Sequence, residues 1–277
     1  MSPLQPSAHA LNIDFHWINR RGPFQVISDA QAQSYDELGY FVMDDALTAE
    51  EVDRVVTEID PLEHRQVEEL RKFKDGKFLI ARADEITFST HLVRQSPVLR
   101  DFTRSPLLVA LCADLIGPDV RLYWDQAVYK KPDTSAPFPW HQDNGYAFLE
   151  PQQYLTCWIA LTDATEENGC PWVVPGLHRR GTLAHRATDI GLVCLSDPGN
   201  AIAAPVKKGG MVVFSSLTPH STGPNLTDAV RKAYIVQYAP AGASVVQVDA
   251  QNRQSRIPAD DEERQFPVLL GGQPVMP

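Results

Sequence analysis

The stretch Pro139-Trp140-His141-Gln142-Asp143-Asn144-Gly145-Tyr146 joins a strand-like beginning to an Asp-Asn-Gly sequence that is typical of turns. Side chains alternate between the two faces of an extended strand, so His141 and Asp143 point the same way while Gln142 points the opposite way. One strand therefore presents an imidazole and a carboxylate together. A second histidine from a neighbouring strand, for which His220 is the candidate, would complete the two-histidine, one-carboxylate arrangement that suits non-haem Fe(II) and leaves coordination positions open.

Each of these residues also has an ordinary structural interpretation. His141 and His220 can be hydrogen-bonded core histidines, and the Pro219 that precedes His220 favours an extended backbone in either case. Arg231 begins a strand-like stretch, where an arginine is ordinarily a solvated edge residue. A guanidinium, however, also binds a carboxylate through two hydrogen bonds and keeps its proton. The spacing of His141 and Asp143 becomes specific only in combination with other motifs.

Two further motifs supply that combination. One is Asn168-Gly169-Cys170-Pro171-Trp172-Val173-Val174-Pro175-Gly176-Leu177-His178, and the other is His220-Ser221-Thr222-Gly223-Pro224-Asn225 followed by Arg231. Together with His-x-Asp, they resemble the phytanoyl-CoA dioxygenase family of Fe(II)- and 2-oxoglutarate-dependent oxygenases over about residues 39–239. The resemblance implies a double-stranded β-helix, or jelly roll, with helices packed outside.

The resemblance also implies which residues bind iron and the 2-oxoglutarate that is used together with O2. His141, Asp143 and His220 are the expected iron ligands. Arg231, eleven residues after His220 as in the family, is the expected partner of the distal carboxylate of 2-oxoglutarate. Three further positions match co-substrate contacts of the family, namely Thr222, where the family has a serine, Trp158 and Gln126. For Trp158 and Gln126, ordinary packing is an equal alternative to a co-substrate contact.

Two segments are candidates to cover the open side of the iron, residues 78–91 and the Gly- and Pro-interrupted residues 181–204. In part of the family a lysine near the first segment reaches 2-oxoglutarate, but this chain has Glu85 there. Arg82, three residues earlier, is a candidate polar anchor for the substrate. The alternative is that Arg82 pairs with Asp84 or Glu85 on the surface.

The length and composition favour one domain. A chain of 277 residues with 43% hydrophobic residues can bury one sizeable core, and all-β domains of this length are commonly single. We expect residues 1–277 to form a single dioxygenase domain, with residues 1–27 as an irregular arm and residues 244–277 as a peripheral tail.

The charge of the chain limits its partners. A net charge of −10 without a Lys/Arg cluster argues against nucleic acids and anionic membranes, so a small-molecule substrate is expected. Coenzyme A thioesters carry several phosphates and need a basic rim. Despite the family's name, a smaller molecule such as an amino-acid derivative or a secondary metabolite is therefore favoured.

The chain lacks the sequence signals of membrane and secreted proteins. It has no apolar run of membrane-spanning length and no signal-peptide pattern, so a cytoplasmic protein is expected. The four cysteines contain no Cys-x-x-Cys pair and are expected to be free, buried thiols. The sequence makes no prediction about oligomeric state.

Capping signals and hydrophobic periods place helices before strands. Ser28 and the box that begins at Thr48 start two helices, and residues 105–116 carry leucines at helical spacing. The charged residues 62–77 are expected to form a solvated helix. Apolar residues alternate with a period of two over residues 120–130, and many short strands favour a mainly β sandwich or barrel. Further strands are expected at residues 78–82, 154–162, 172–174, 201–205, 210–216 and 231–238.

These features together predict an Fe(II)- and 2-oxoglutarate-dependent dioxygenase. Hydroxylation of an unactivated C–H bond of a small molecule, with release of succinate and CO2, is the expected reaction, while desaturation, ring closure and demethylation stay open. A non-catalytic jelly-roll protein that binds a metal or a ligand is the alternative. A zinc hydrolase with the same three ligands is a further alternative, but it would leave Arg231 and Thr222 without a purpose.

Overall fold

Two capping boxes begin the amino-terminal helices of the computed structural model, which describes residues 4–275. The Ser28 hydroxyl accepts a hydrogen bond from the Gln31 backbone while the Gln31 side chain bonds back to Ser28, and Thr48 and Glu51 do the same. The first helix ends at Gly39, whose φ of 89° is left-handed. The helices are α1 Asp29–Leu38, α2 Ala49–Leu70, α3 Pro97–Phe102 and α4 Pro106–Leu115.

Antiparallel strands are the most frequent regular elements of the chain after the last α-helix. The first long strand covers Val120–Lys130, the bounds that its alternating apolar residues predict. The strands are β1 Tyr40–Met43, β2 Lys77–Phe78, β3 Ala81–Arg82, β4 Ile86–Thr90, β5 Val120–Lys130, β6 Phe138–His141, β7 Leu149–Glu150, β8 Leu155–Ala160, β9 Pro171–Val173, β10 Arg186–Thr188, β11 Gly191–Val193, β12 Ile202–Ala203, β13 Met211–Ser215, β14 His220–Thr222, β15 Arg231–Pro240, β16 Ser244–Val248, β17 Gln254–Pro258, β18 Pro267–Leu270 and β19 Gln273–Pro274.

Two sheets enclose the interior of the molecule. The larger has the strand order β1-β13-β8-β15-β5-β4-β3-β2, and the smaller has the order β12-β9-β14-β6. Their facing side chains form one apolar cluster, in which Trp158 and Ile235 of the larger sheet meet Phe138 of the smaller sheet. The helices cover the other face of the larger sheet, where Val55 and Leu111 pack with Val236. The fold is the predicted jelly roll with flanking helices.

Two amino-terminal predictions need correction. Residues 78–82 form a hairpin of β2 and β3 rather than one strand, and Leu79 at its tip has a φ of 51°. Helix α2 continues through Pro61 because its buried face extends as far as Leu70. Its Glu63 is buried rather than solvated, and it accepts a hydrogen bond from the Lys131 ammonium at 2.6 Å.

One part of the carboxyl-terminal segment, which was predicted to be peripheral, lies in the core. Strand β18 pairs with β5 in the larger sheet, and Phe266, Val268 and Leu269 are buried in the core beneath the helices. The apolar run that begins at Phe266 is too short to show the alternation of a strand. The sequence therefore does not reveal that this run packs in the core. Residues 1–3 and 276–277, at the ends of the predicted arm and tail, lie outside the described residues.

None of the helices in residues 4–275 combines the length and hydrophobicity that crossing a bilayer requires. The four cysteines are free and buried, as predicted.

Candidate metal centre

The structure brings His141, Asp143 and His220 together. One possible ligand atom from each of the three residues lies within 4.8 Å of the others. His141 and His220 are paired directly across the antiparallel strands β6 and β14. Strand β6 ends at His141, but Gln142 keeps an extended backbone with φ −111° and ψ 145°. Side-chain alternation therefore continues one residue beyond the strand and turns Asp143 to the face of His141.

Backbone carbonyl groups orient both imidazoles. Nδ1 of His141 lies 2.8 Å from the Pro139 carbonyl oxygen, and Nδ1 of His220 lies 3.0 Å from that of Thr218. Each Nδ1–H donates to its carbonyl, which leaves the Nε2 lone pair for a metal. Burial, and then the proximity of His220, hold the pKa of His141 well below its usual value, so this imidazole is in its neutral, ligating form.

Two polar side chains support the carboxylate. The Thr156 hydroxyl donates to Oδ2 of Asp143 at 2.5 Å, while Oδ1 lies 3.7 Å from Nε2 of His220. Burial raises the pKa of Asp143, and the contacts with His220, Thr156 and Gln237 oppose that rise. Oδ1 is therefore the oxygen available to a cation. Thr156 and Gln237 were missed in the sequence, although both lie an even number of residues from interior positions of the same strands, Trp158 and Arg231.

A second polar group lies in the interior at the start of β15. The Arg231 side chain is 0% exposed, and in residues 4–275 its Nε, Nη1 and Nη2 atoms have no hydrogen-bond partner. The Trp158 ring centroid lies 5.2 Å from the guanidinium carbon. The Thr222 hydroxyl is likewise buried without a partner in the described chain. Because buried donors are ordinarily satisfied, these donors fit an anionic ligand such as a carboxylate.

Lys130 lies directly opposite Arg231 in the pairing of β5 with β15. Its side chain is 1% exposed. Gln126 is half-buried further along β5, and its Oε1 accepts a hydrogen bond from Nε1 of Trp124 at 3.2 Å. The structure thus groups Arg231, Lys130, Trp158 and Thr222, whereas the Gln126 amide oxygen is bonded to Trp124.

The residue between His141 and Asp143 anchors the metal centre to the outer loops. Gln142 points away from His141, and its Oε1 accepts a hydrogen bond from the Leu183 backbone at 2.6 Å. The Gln142 backbone N–H donates to Nε2 of His185 at 3.0 Å. No ligand spacing in the sequence pointed to His185, because its contact depends on a loop far along the chain.

The two candidate covering segments meet. Nη2 of Arg82 lies 3.4 Å from the carbonyl oxygen of Asp189, in the turn between β10 and β11. The same side chain, 16% exposed, lies 3.7 Å from a Glu85 carboxylate oxygen. Arg82 therefore pairs with Glu85, but it is mostly buried rather than on the surface, and it also joins the two segments. Asp84 instead accepts a hydrogen bond from Arg71.

Comparison with known proteins identifies related chains. The family model described as phytanoyl-CoA dioxygenase matches residues 35–233. The mouse protein phytanoyl-CoA dioxygenase domain-containing protein 1 is 31% identical over 182 residues, which is 61% of this chain and 62% of the mouse protein. The match thus spans less than two thirds of that relative.

Solved structures share the architecture. The non-heme alpha ketoglutarate dependent carbocyclase SnoK from nogalamycin biosynthesis superposes with a TM-score of 0.66 and 25% identity, over 87% of this chain and 98% of SnoK. EvdO2 from Micromonospora carbonacea var. aurantiaca, in complex with 2-oxoglutarate, superposes with a TM-score of 0.61 and 25% identity, over 87% of this chain and 97% of EvdO2.

Proposed function

This chain belongs to the phytanoyl-CoA dioxygenase family of Fe(II)- and 2-oxoglutarate-dependent oxygenases, and from that premise we propose that it hydroxylates an unactivated C–H bond of a small molecule. His141, Asp143 and His220 are the proposed iron ligands. Together, Fe(II) and 2-oxoglutarate supply O2 activation coupled to the decarboxylation of the oxo acid to succinate. The chain supplies the ligands, the orientation of the co-substrate and the exclusion of water.

Each part of the interior has a role in this proposal. Nε2 of both histidines and Oδ1 of Asp143 are the atoms that would hold the iron. Thr156 fixes the carboxylate through its second oxygen. Arg231 binds the distal carboxylate of 2-oxoglutarate, with the Thr222 hydroxyl as a further donor and the Trp158 ring as a wall.

The observation that carries the proposal is the buried guanidinium of Arg231, whose nitrogens have no partner in residues 4–275. A buried unpaired cation is costly, so a fold that keeps one needs an anionic ligand to offset it. A zinc hydrolase built on the same three ligands would give Arg231 no such ligand. A protein that only binds a metal would leave it equally unexplained.

Anaerobic titration tests the co-substrate site without knowledge of the substrate. Fe(II) is added to the protein, then 2-oxoglutarate, and the weak visible charge-transfer band of the chelate is recorded. We expect the band with the wild-type protein and succinate formation once O2 is admitted. A band that does not form at saturating 2-oxoglutarate, in a protein shown to contain one iron, would refute the proposal.

The proposed substrate is smaller than a coenzyme A thioester, such as an amino-acid derivative or a secondary metabolite. The net charge of −10 supports this choice, because several phosphates would be repelled unless basic residues were concentrated at the entrance. SnoK is a carbocyclase, so a protein of similar architecture catalyses a reaction other than hydroxylation. Mass spectrometry of the product distinguishes a gain of one oxygen from loss of two hydrogens or ring closure.

We also propose that the chain works as one catalytic domain, because strands that are far apart along the chain supply the centre. His141 comes from β6, His220 from β14 and Arg231 from β15, and the carboxyl-terminal β18 extends the same sheet. Limited proteolysis that released a stable fragment lacking β18 would contradict this proposal.

A further inference from the structure

Lys130 and Arg231 are two buried cations on neighbouring strands. They are direct partners in the antiparallel pairing of β5 and β15, so their side chains leave the sheet on the same face. That face is the interior, because Val128 and Ala233, two residues along each strand, belong to the interior apolar cluster. The exposed fractions are 1% for Lys130 and 0% for Arg231.

The Lys130 ammonium is held only by neutral groups. Nζ donates to the carbonyl oxygens of Ala136 at 3.3 Å, Thr222 at 3.5 Å and Gly223 at a shorter distance. No carboxylate of residues 4–275 pairs with it. Two of the three carbonyls belong to Thr222, whose hydroxyl has no partner in the described chain, and to the residue after it, so Lys130 also fixes this part of the co-substrate pocket.

The charged groups around Lys130 do not neutralise the positive charge of its ammonium. Arg231 faces it from β15, and from the other side Arg82 and Glu85 line the same cleft as Lys130. Glu85 pairs with Arg82, and the segments of Ala136 and Thr222 offer carbonyl oxygens only. Burial, and then the Arg231 charge, lower the pKa of Lys130 to about 7. The Arg231 guanidinium thus lies beside an amine that is partly neutral near pH 7.

We propose that Lys130 and Arg231 form a two-cation subsite, in which the distal carboxylate of 2-oxoglutarate binds Arg231 beside a charged Lys130 ammonium. This inference rests on the proposed function and adds a second basic residue to its co-substrate pocket. A bound carboxylate replaces the repulsion from Arg231 with an attraction, which favours the protonated amine. Because 2-oxoglutarate is already a dianion near neutral pH, the proton must come from solvent.

Proton uptake is the measurable consequence. With a pKa of about 7 in the free protein, Lys130 is mostly charged at pH 6 and mostly neutral at pH 8. Binding at pH 8 should then take up most of one proton, and the dissociation constant of 2-oxoglutarate should rise about tenfold between pH 6 and pH 8. A lysine that merely braces the loops would change affinity without linking it to protons.

Calorimetry of 2-oxoglutarate binding to the anaerobic Fe(II)-loaded protein tests the proposal. Binding enthalpies at pH 8 are compared in phosphate and Tris, whose ionisation enthalpies differ, so the difference gives the number of protons exchanged. The wild-type protein should take up a proton, whereas Lys130→Met should take up none and should bind at least tenfold more weakly at pH 6. Lys131→Met, which removes the same charge from the neighbouring position, should keep the wild-type proton uptake.

A second variant covers the case in which Lys130→Met does not fold. Lys130→Arg keeps its charge at both pH values, so its affinity for 2-oxoglutarate should not change between pH 6 and pH 8. Equal proton uptake in wild type and Lys130→Met, equal affinity in both, or wild-type pH dependence in Lys130→Arg would each overturn the proposal. Those outcomes leave the proposed function standing, whereas a wild-type protein that binds iron but not 2-oxoglutarate would overturn both.

Discussion

Replacing Arg231 with methionine should stabilise the protein in the absence of 2-oxoglutarate and remove most of the stabilisation that 2-oxoglutarate brings. Burial lowers the pKa of Arg231 well below its usual value, to about 10, which corresponds to roughly 3 kcal/mol of cost for the charged form. The Trp158 ring, 5.2 Å from the guanidinium carbon, offsets about 1 kcal/mol of that cost. Methionine fills similar space without a charge. The free energy of unfolding should therefore rise by about 1–2 kcal/mol.

The same substitution should weaken co-substrate binding. Loss of a charge-assisted pair is worth about 1.5–3 kcal/mol, so the KM for 2-oxoglutarate should rise roughly 10- to 150-fold. Urea unfolding of the Fe(II)-loaded protein with and without 2-oxoglutarate measures stability, and succinate formation measures KM. Arg121→Met is the matched control, because Arg121 is half-buried on β5 and donates to the Gln265 carbonyl oxygen at 2.8 Å. An Arg231→Met protein that is less stable without ligand and keeps the wild-type KM would refute the reasoning.

Three other substitutions test separate parts of the structure. His220→Ala should reduce substrate-independent succinate formation to background with an unchanged circular dichroism spectrum, and full activity with iron bound would rule out its assignment as a ligand. Burial raises the pKa of Asp125 from 3.8 to about 6, so its stabilising contribution is complete below pH 4 and is lost as the pH rises through 6. In Asp125→Asn, the free energy of unfolding should no longer fall by roughly 3 kcal/mol as the pH rises through this range, as measured by urea unfolding. A pH profile like that of the wild type would assign the fall to another group. Arg82→Ala should raise both the substrate KM and the ratio of succinate to product while leaving the KM for 2-oxoglutarate nearly unchanged, and wild-type coupling would exclude Arg82 from the substrate site.

Local signals explain which parts of the fold and site were predictable. The capping residues Ser28 and Thr48 begin helices because each pairs with a residue only three positions away. The face shared by His141 and Asp143 follows from the extended backbone of the single residue between them. The apolar run that begins at Phe266 carries no local signal of this kind, and the prediction that it is peripheral was wrong.

The sequence by itself determined the residue types of the centre, the pairing of His141 with Asp143 on one face, and the alternation that builds the sheets. Only the tertiary structure decided that His220 lies opposite His141 and that Lys130 lies opposite Arg231. Those pairings join strands that are far apart along the chain. Their register is selected because a slip of one residue would turn every interior side chain to the other face of its sheet. That selection depends on the packing of both faces at once, which no short stretch of sequence contains.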